Sequence, residues 1–171
     1  MQNVCNGNSP LQVKSEQEAL LIACEMERRA IRVYERGLTI CKDPELKGLI
    51  AKFHGEEAEH LKRFSRMGSV SLEMSDLEQQ LLLSSYAAQV LFPGGLMQAY
   101  REGALQSVLS LVQFARDSEE TAVRVYREFA SAVEDTAVRD MFQAIAQEEQ
   151  MHLKTLEEQL EGLGNSQEQN S

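Results

Sequence analysis

Apolar side chains recur at steps of three and four residues along most of the chain, which is the period of a helix that buries one face. Signals for helix starts and ends divide this pattern: an aspartate stands directly before Pro44, and Gly68 follows the second apolar stripe. A shorter helix is expected between Ser75 and the break at Pro93. Four long helices are predicted, at 16–41, 44–67, 96–133 and from Asp135 to about Gly162.

The connections between these helices predict how they pack. Only a few residues join the first helix to the second, or the third to the fourth, so each pair should form an antiparallel hairpin. The link over 68–95 is long enough to run along a whole bundle and to carry the short helix. We therefore predict an all-α fold at 15–162, a four-helix bundle of two hairpins with one long crossover, and flexible segments at 1–14 and 163–171.

The two hairpins are copies of one repeat. A shift of 92 residues places the stretch from Glu27 to Tyr34 on the stretch from Glu119 to Tyr126, and six of the eight positions match or are closely similar. The same shift superimposes further pairs, namely Asp43 on Asp135, Glu56 on Glu148, Glu57 on Glu149 and His60 on His152. Agreement in residue type and order at a single shift indicates an internal duplication.

Each repeat carries a pattern of metal ligands: a glutamate on its first helix, and a Glu-x-x-His pair about thirty residues later on its second. Residues three apart lie on one face of a helix, so both side chains of such a pair can reach one ion. Together the two repeats provide the ligand set of di-iron and di-manganese carboxylate bundles. The six candidate ligands are Glu27, Glu57, His60, Glu119, Glu149 and His152.

A glutamate or a Glu-x-x-His on a helix is more often part of a solvated surface, but these glutamates lie in the middle of apolar stripes. The residues on the same face as Glu57 are Ile50, Phe53, Leu61 and Phe64. An unpaired carboxylate there would cost several kcal/mol, and no Lys or Arg occupies the stripes. A cation should therefore compensate the carboxylates. Without metal, some should have raised pKa values, and Glu57→Leu should leave stability unchanged or raised.

Other residues near the motifs leave alternatives open. Tyr34 and Tyr126 lie two turns beyond the glutamates of their own helices, so each hydroxyl could reach back to a carboxylate, although plain core packing is an equal alternative. Cys24 is expected to be a small buried apolar residue. Glu56 and Glu148 flank the Glu-x-x-His face and are expected to be solvated.

Composition narrows the class of protein and its partners. The chain has 171 residues, 43% of them hydrophobic, and a net charge of −10, so we expect one globular domain that does not bind nucleic acid. No apolar run approaches the roughly 18 residues that a membrane span needs. The three cysteines form no Cys-x-x-Cys pair, which suits a reducing compartment, and residues 1–14 show no signal-peptide pattern. We therefore expect a cytoplasmic location.

These motifs resemble a rubrerythrin-type member of the ferritin-like superfamily over about residues 16–160, with two Glu-Glu-x-x-His helices and two Glu-x-x-Ala-x-x-x-Tyr helices. The resemblance implies a ferritin-like bundle, often a homodimer, that holds a non-haem centre of two iron ions, with manganese as the alternative metal. The same six residues would be the ligands. The implied activity is oxidation by dioxygen or hydrogen peroxide, of the ferroxidase or peroxidase type, with electrons from an external donor such as a rubredoxin-like protein.

The sequence departs from the rubrerythrin pattern at two points. It contains no rubredoxin-like module with its Cys-x-x-Cys pairs, so we expect no built-in electron donor. Ala122 stands where rubrerythrins carry an extra glutamate that takes part in redox-linked ligand exchange, so dioxygen and peroxide stay open as oxidants. The alternative function is a non-enzymatic metal-binding or iron-handling bundle in which the ions are mainly structural.

Overall fold

The computed structural model describes residues 13, 15–68, 100, 103 and 106–168, with side chains up to residue 163. These residues contain no strand, and their long helices confirm the predicted all-α four-helix bundle. None of the described helices is both long and apolar enough to cross a membrane. The helices are α1 (Glu16–Ile40), α2 (Pro44–Met67), α3 (Val108–Ala132) and α4 (Thr136–Glu168).

Capping residues explain where three of the helices begin. Ser15, Asp43 and Asp135 each accept a hydrogen bond from the backbone N–H three residues later, at 3.1, 2.8 and 3.0 Å. Each bond satisfies a donor that the first turn of a helix leaves without a partner. Because Asp43 and Asp135 are related by the repeat, the two hairpins turn in the same way.

The start of α3 differs from the prediction. The helix begins at Val108 rather than at residue 96, because Gly103 has a φ of 78°, in the left-handed region that a helix does not contain. Ser107 then caps the helix by accepting a hydrogen bond from the backbone N–H of Ser110 at 3.0 Å. Most of the predicted crossover, including the short helix before Pro93, lies outside the described residues.

The end of α4 also differs from the prediction, because the helix passes Gly162 and ends at Glu168. A glycine inside a helix costs only about 1 kcal/mol relative to alanine, so it is a weak stop signal unless the backbone needs a positive φ. Nothing lies within 4 Å of a Cβ built on Gly162. The position therefore has room for a side chain, and the helix continues through it.

Hydrogen bonds at one end of the bundle show how the hairpins are arranged. Gln17 Nε2 donates to the carbonyl of Gly68 at 3.0 Å, which places the end of α2 beside the start of α1. The Glu16 carboxylate accepts from the backbone N–H groups of Glu134 and Asp135 in the α3–α4 turn, at 3.1 and 2.6 Å. The first residues of α3 therefore lie at the opposite end from Gly68.

Aromatic side chains fill much of the interior between the helices. Phe64, Tyr126, Phe129 and Phe142 form a cluster whose contacting ring centroids are 5.2 to 6.0 Å apart. Phe53 packs near a histidine ring in another part of the core and is 1% exposed. This apolar packing holds the helices together and excludes water from the polar groups between them.

Candidate metal centre

The six predicted ligands meet in the middle of the bundle, and none is more than 5% exposed. They form two overlapping groups, in each of which one candidate ligand atom per residue lies within 4.8 Å of the others. The first cluster consists of Glu27, Glu57, His60 and Glu149. The second cluster consists of Glu57, Glu119, Glu149 and His152.

The repeat exchanges the two clusters. A shift of 92 residues converts the first cluster into the second, while Glu57 and Glu149 exchange places and belong to both. This sharing arises because α2 and α4 each contribute a Glu-x-x-His pair to the same space, and α1 and α3 each add one glutamate. The bundle therefore has a pseudo-twofold centre whose two halves share a pair of carboxylates.

Both histidine rings direct Nδ1 toward the shared carboxylates. His60 Nδ1 lies 3.1 Å from Glu57 Oε2 and 3.0 Å from Glu149 Oε1. His152 Nδ1 lies 3.3 Å from Glu57 Oε1 and 2.9 Å from Glu149 Oε2. The two rings are nearly parallel, with centroids 6.0 Å apart. Nδ1 is thus the atom that each histidine presents to the centre.

The opposite ring nitrogens contact glutamates that sequence reasoning missed. His60 Nε2 lies 3.0 Å from Glu148 Oε2, and His152 Nε2 lies 3.1 Å from Glu56 Oε2. Glu56 and Glu148 are partly exposed, as predicted, with 38% and 45% of their side chains accessible, but the prediction missed that each also contacts a histidine. A carboxylate on the far nitrogen of a metal-ligating histidine fixes its tautomer and orientation. The sequence signal that could have revealed these contacts is the first glutamate of each Glu-Glu-x-x-His motif, which lies one position before the ligand face.

The tyrosines reach across the centre rather than back along their own helices. Tyr126 OH donates a hydrogen bond to Glu27 Oε1 at 2.5 Å, and Tyr34 OH donates one to Glu119 Oε1. Burial and the nearby carboxylates raise the pKa of both tyrosines well above the usual value. The hydroxyls therefore stay protonated and act as donors. Of the two alternatives left by the sequence, contact with a carboxylate and plain core packing, the structure has the first, but with the glutamate of the other hairpin.

The outer carboxyl groups are those of Glu27 and Glu119, which each belong to one cluster only. Their pKa values are raised when no metal is bound. Burial is the largest cause that raises the pKa of Glu27, followed by the negative charges of Glu57 and Glu149. The pKa of Glu119 is raised by burial and by the same two neighbours. This agrees with the expectation that some of the four carboxyl groups have raised pKa values.

Glu57 and the two histidines next to it are ionised in the metal-free protein. Burial alone would raise the pKa of Glu57, but the adjacent His152 and His60 rings outweigh it and lower the pKa to about 2. Burial would likewise lower the pKa of each histidine, but the close carboxylates of Glu149 and Glu57 raise it to about 12 for His60 and about 11 for His152. Protons on the histidines thus take the place of a cation in the metal-free protein.

Several buried atoms at the centre have no hydrogen-bond partner, as expected of atoms that face a cation. Among the described residues, these atoms include Glu57 Oε1, Glu149 Oε2 and His152 Nδ1. The two oxygens lie within 3.3 Å of the nitrogen, but without hydrogen-bond geometry. Burial raises the pKa of the nearby Cys24 thiol to about 11, so no thiolate competes. Carboxylates with imidazoles and no sulfur fit iron or manganese.

A small cavity of about 20 Å³ adjoins the centre between α1 and α3. This is room for about one water-sized molecule. The cavity is lined by Met26, Glu27, Ala30, Glu57, Ser118, Glu119, Ala122, Tyr126 and Glu149. A much larger open groove of about 890 Å³ lies on the outer face of α3 and α4, but none of its lining residues belongs to the two clusters. The small cavity is therefore the space that matters for chemistry at the centre.

The fold and the donor set define a class of protein: a helical bundle, built from a duplicated hairpin, that binds metal between carboxylates and histidines. Comparison with known proteins narrows this class. The rubrerythrin family model matches residues 111–171, which contain most of α3 and all of α4 with Glu119, Glu149 and His152. The match confirms the resemblance to rubrerythrin-type proteins. No curated protein and no solved structure matched the chain.

Proposed function

We propose that this protein is a non-haem di-iron oxidoreductase that reduces dioxygen or hydrogen peroxide. The observation that carries the proposal is the sharing of Glu57 and Glu149 between two clusters of buried ligands. Two carboxylates common to both clusters are suited to bridge a pair of ions, which a single structural ion would not need. The rubrerythrin match to the second hairpin supports the same assignment.

Each cluster would hold one ion, with one histidine and one outer glutamate as its private ligands. His60 and Glu27 serve the first cluster, whereas His152 and Glu119 serve the second. When bound, a pair of iron ions supplies two electrons, which together with two protons reduce dioxygen to hydrogen peroxide or hydrogen peroxide to water. Manganese fits the same donors, and the test below decides between the two metals.

The remaining residues keep this chemistry selective. Tyr34 and Tyr126 donate hydrogen bonds to the outer glutamates and hold these carboxylates in place. The surrounding apolar core limits water at the centre, and the cavity beside Ala30 and Ala122 has room only for a molecule about the size of water. A small oxidant therefore fits the site, and a bulky organic substrate does not.

A peroxidase cycle would require electrons from outside the described residues. Cys24 and Cys41 are free and buried, and neither belongs to a Cys-x-x-Cys pair. We therefore propose a separate electron donor, for which a rubredoxin-like protein is the expectation.

Addition of Fe(II) to the metal-free protein tests the proposed function. We expect two iron ions per chain, oxygen consumption faster than in buffer, and near-ultraviolet absorption from ferric ions. With the Fe(II)-loaded protein under anaerobic conditions, hydrogen peroxide should be consumed. Manganese in place of iron should bind without rapid oxygen consumption.

A matched pair of variants links the result to the centre. Glu119→Gln removes a ligand, whereas Glu120→Gln makes the same change at the next residue, whose exposed carboxylate pairs with Arg116 at 3.2 Å. We expect Glu119→Gln to lower iron binding and oxidation, and Glu120→Gln to resemble the parent. Full iron binding by the parent without accelerated oxidation would contradict the enzyme and support a structural role for the ions.

A further inference from the structure

The two clusters are related by the repeat, but their surroundings are not equivalent. On the side of the first cluster, both oxygens of Glu148 are engaged. Its Oε2 lies 3.0 Å from His60 Nε2, and its Oε1 accepts a hydrogen bond from Arg63 Nη1 at 2.8 Å.

The side of the second cluster lacks the arginine. The residue that the repeat places on Arg63 is Thr155, whose hydroxyl donates instead to the carbonyl of Met151 in its own helix at 2.9 Å. Glu56 lies 3.1 Å from His152 Nε2, and instead of an arginine its other oxygen faces the exposed Lys52, at 3.8 Å. The contact between Glu56 and the histidine also lacks hydrogen-bond geometry.

We propose that Arg63 is a positioning residue that makes the two metal positions unequal, with the tighter one at the first cluster. Arg63 holds Glu148, and Glu148 in turn orients His60 so that Nδ1 faces Glu57 and Glu149. Outer partners of this kind typically change metal affinity 10- to 100-fold. The proposal rests on the proposed function only in requiring that both clusters bind metal; it needs no oxidation chemistry.

Single-site variants are needed to test this inequality, because two neighbouring ions repel each other and would bind in separate steps even at equal positions. His152→Gln leaves the first cluster intact, whereas His60→Gln leaves the second. Each metal-free variant is titrated with Co(II), whose visible absorption reports binding and coordination without oxidation by air. We expect at least a tenfold lower dissociation constant for His152→Gln than for His60→Gln.

Arg63→Met, combined with each single-site variant, separates positioning from a general loss of structure. In the His152→Gln protein it should weaken Co(II) binding 10- to 100-fold, since Arg63 acts through His60, the histidine ligand that this protein keeps. In the His60→Gln protein it should leave binding within about twofold, so this combination is the matched control. A general loss of structure would weaken both proteins alike.

A gain of affinity gives a second, independent readout. Thr155→Arg places an arginine at the position that the repeat relates to Arg63, where it can reach Glu56. In the His60→Gln protein this change should tighten Co(II) binding several-fold, and in the His152→Gln protein it should have no effect.

Two results would overturn the inference. Equal Co(II) affinities in the two single-site proteins, or an Arg63→Met effect of the same size in both, would show that the arginine does not distinguish the positions. Absence of Co(II) binding to both proteins would overturn the metal centre itself, and with it the proposed function. Equal but measurable binding would leave the proposed function intact.

Discussion

Glu27 and Glu57 are buried together in the first cluster, yet their pKa values are shifted in opposite directions. Burial and neighbouring charge raise the pKa of Glu27, whereas two histidines lower that of Glu57 to about 2. The expectation that Glu57→Leu costs no stability is therefore wrong in its premise. The sequence shows apolar neighbours around Glu57, but not that His60 and His152 lie on either side of it.

The two carboxyl groups should respond differently to the same substitution in the metal-free protein. Glu57→Gln removes an ionised partner of two protonated histidines, which should destabilise the fold by about 3–5 kcal/mol. The raised pKa of Glu27 favours its neutral form, and Glu27→Gln keeps a neutral group that can still accept from Tyr126, so its cost should be below about 1 kcal/mol. Urea unfolding in the presence of a chelator measures both; equal costs would contradict the assigned protonation states.

Ala122 is the residue whose replacement should change the choice of oxidant. It lines the small cavity at the centre, where the resemblance to rubrerythrins places an exchangeable glutamate. Ala122→Glu should raise peroxide turnover several-fold, with a supplied electron donor, relative to oxygen-dependent oxidation. Thr121→Glu adds the same charge at the preceding residue, which lines the outer groove instead of the cavity, and is the matched control. An unchanged ratio at full iron occupancy would remove Ala122 from the explanation.

At the scale of helices, the sequence predicts what depends on local signals. The caps Ser15, Asp43 and Asp135 act on the backbone three residues away, so the starts of α1, α2 and α4 could be predicted closely. The start of α3 could not, because apolar spacing continues through Gly103, whose positive φ is a property of the folded backbone. Helical periodicity alone does not reveal such a break.

Contacts between helices are the part of the site that periodicity leaves undetermined. The 3.6-residue period shows that Tyr34 lies on the inner face of α1, but not that its hydroxyl meets Glu119 on α3. It likewise places Glu148 beside the ligand face of α4, but not next to His60 on α2. The six candidate ligands could be predicted because the duplication presents each of them twice in the same order; their role as ligands stays a prediction.

At the scale of the whole molecule, protons and metal ions compete for one buried centre. In the metal-free protein both histidines have pKa values raised to about 12 and 11 and hold protons near neutral pH, and the raised pKa values of Glu27 and Glu119 favour their protonated forms. Metal ions require the same groups in their deprotonated forms. The bundle can therefore bury its carboxylates in either of two ways, with protons or with metal.

The stability of the metal-free protein should consequently fall as the pH rises, while the stabilisation by metal should grow. The pKa values of His60 and His152 are raised from about 6.5 to about 12 and 11. The contribution of these histidines to the free energy of unfolding is therefore fully present below pH 6.5 and is lost as the pH rises towards the raised values. Between these limits the folded state holds protons that the unfolded state has released. Each such proton lowers the free energy of unfolding by up to about 1.4 kcal/mol for every pH unit of increase.

Thermal midpoints of the protein between pH 6 and 9, with chelator and with Mn(II), check this prediction. The chelated protein should become less stable over this range, and the shift caused by Mn(II) should increase because fewer protons need to be displaced. A titration with Mn(II) at pH 7 in weak buffer should also release protons if both clusters are filled, about two per chain from the histidines and up to two more from Glu27 and Glu119. A metal-induced shift that is constant with pH, without proton release, would mean that the centre is already deprotonated and that another cation balances its carboxylates.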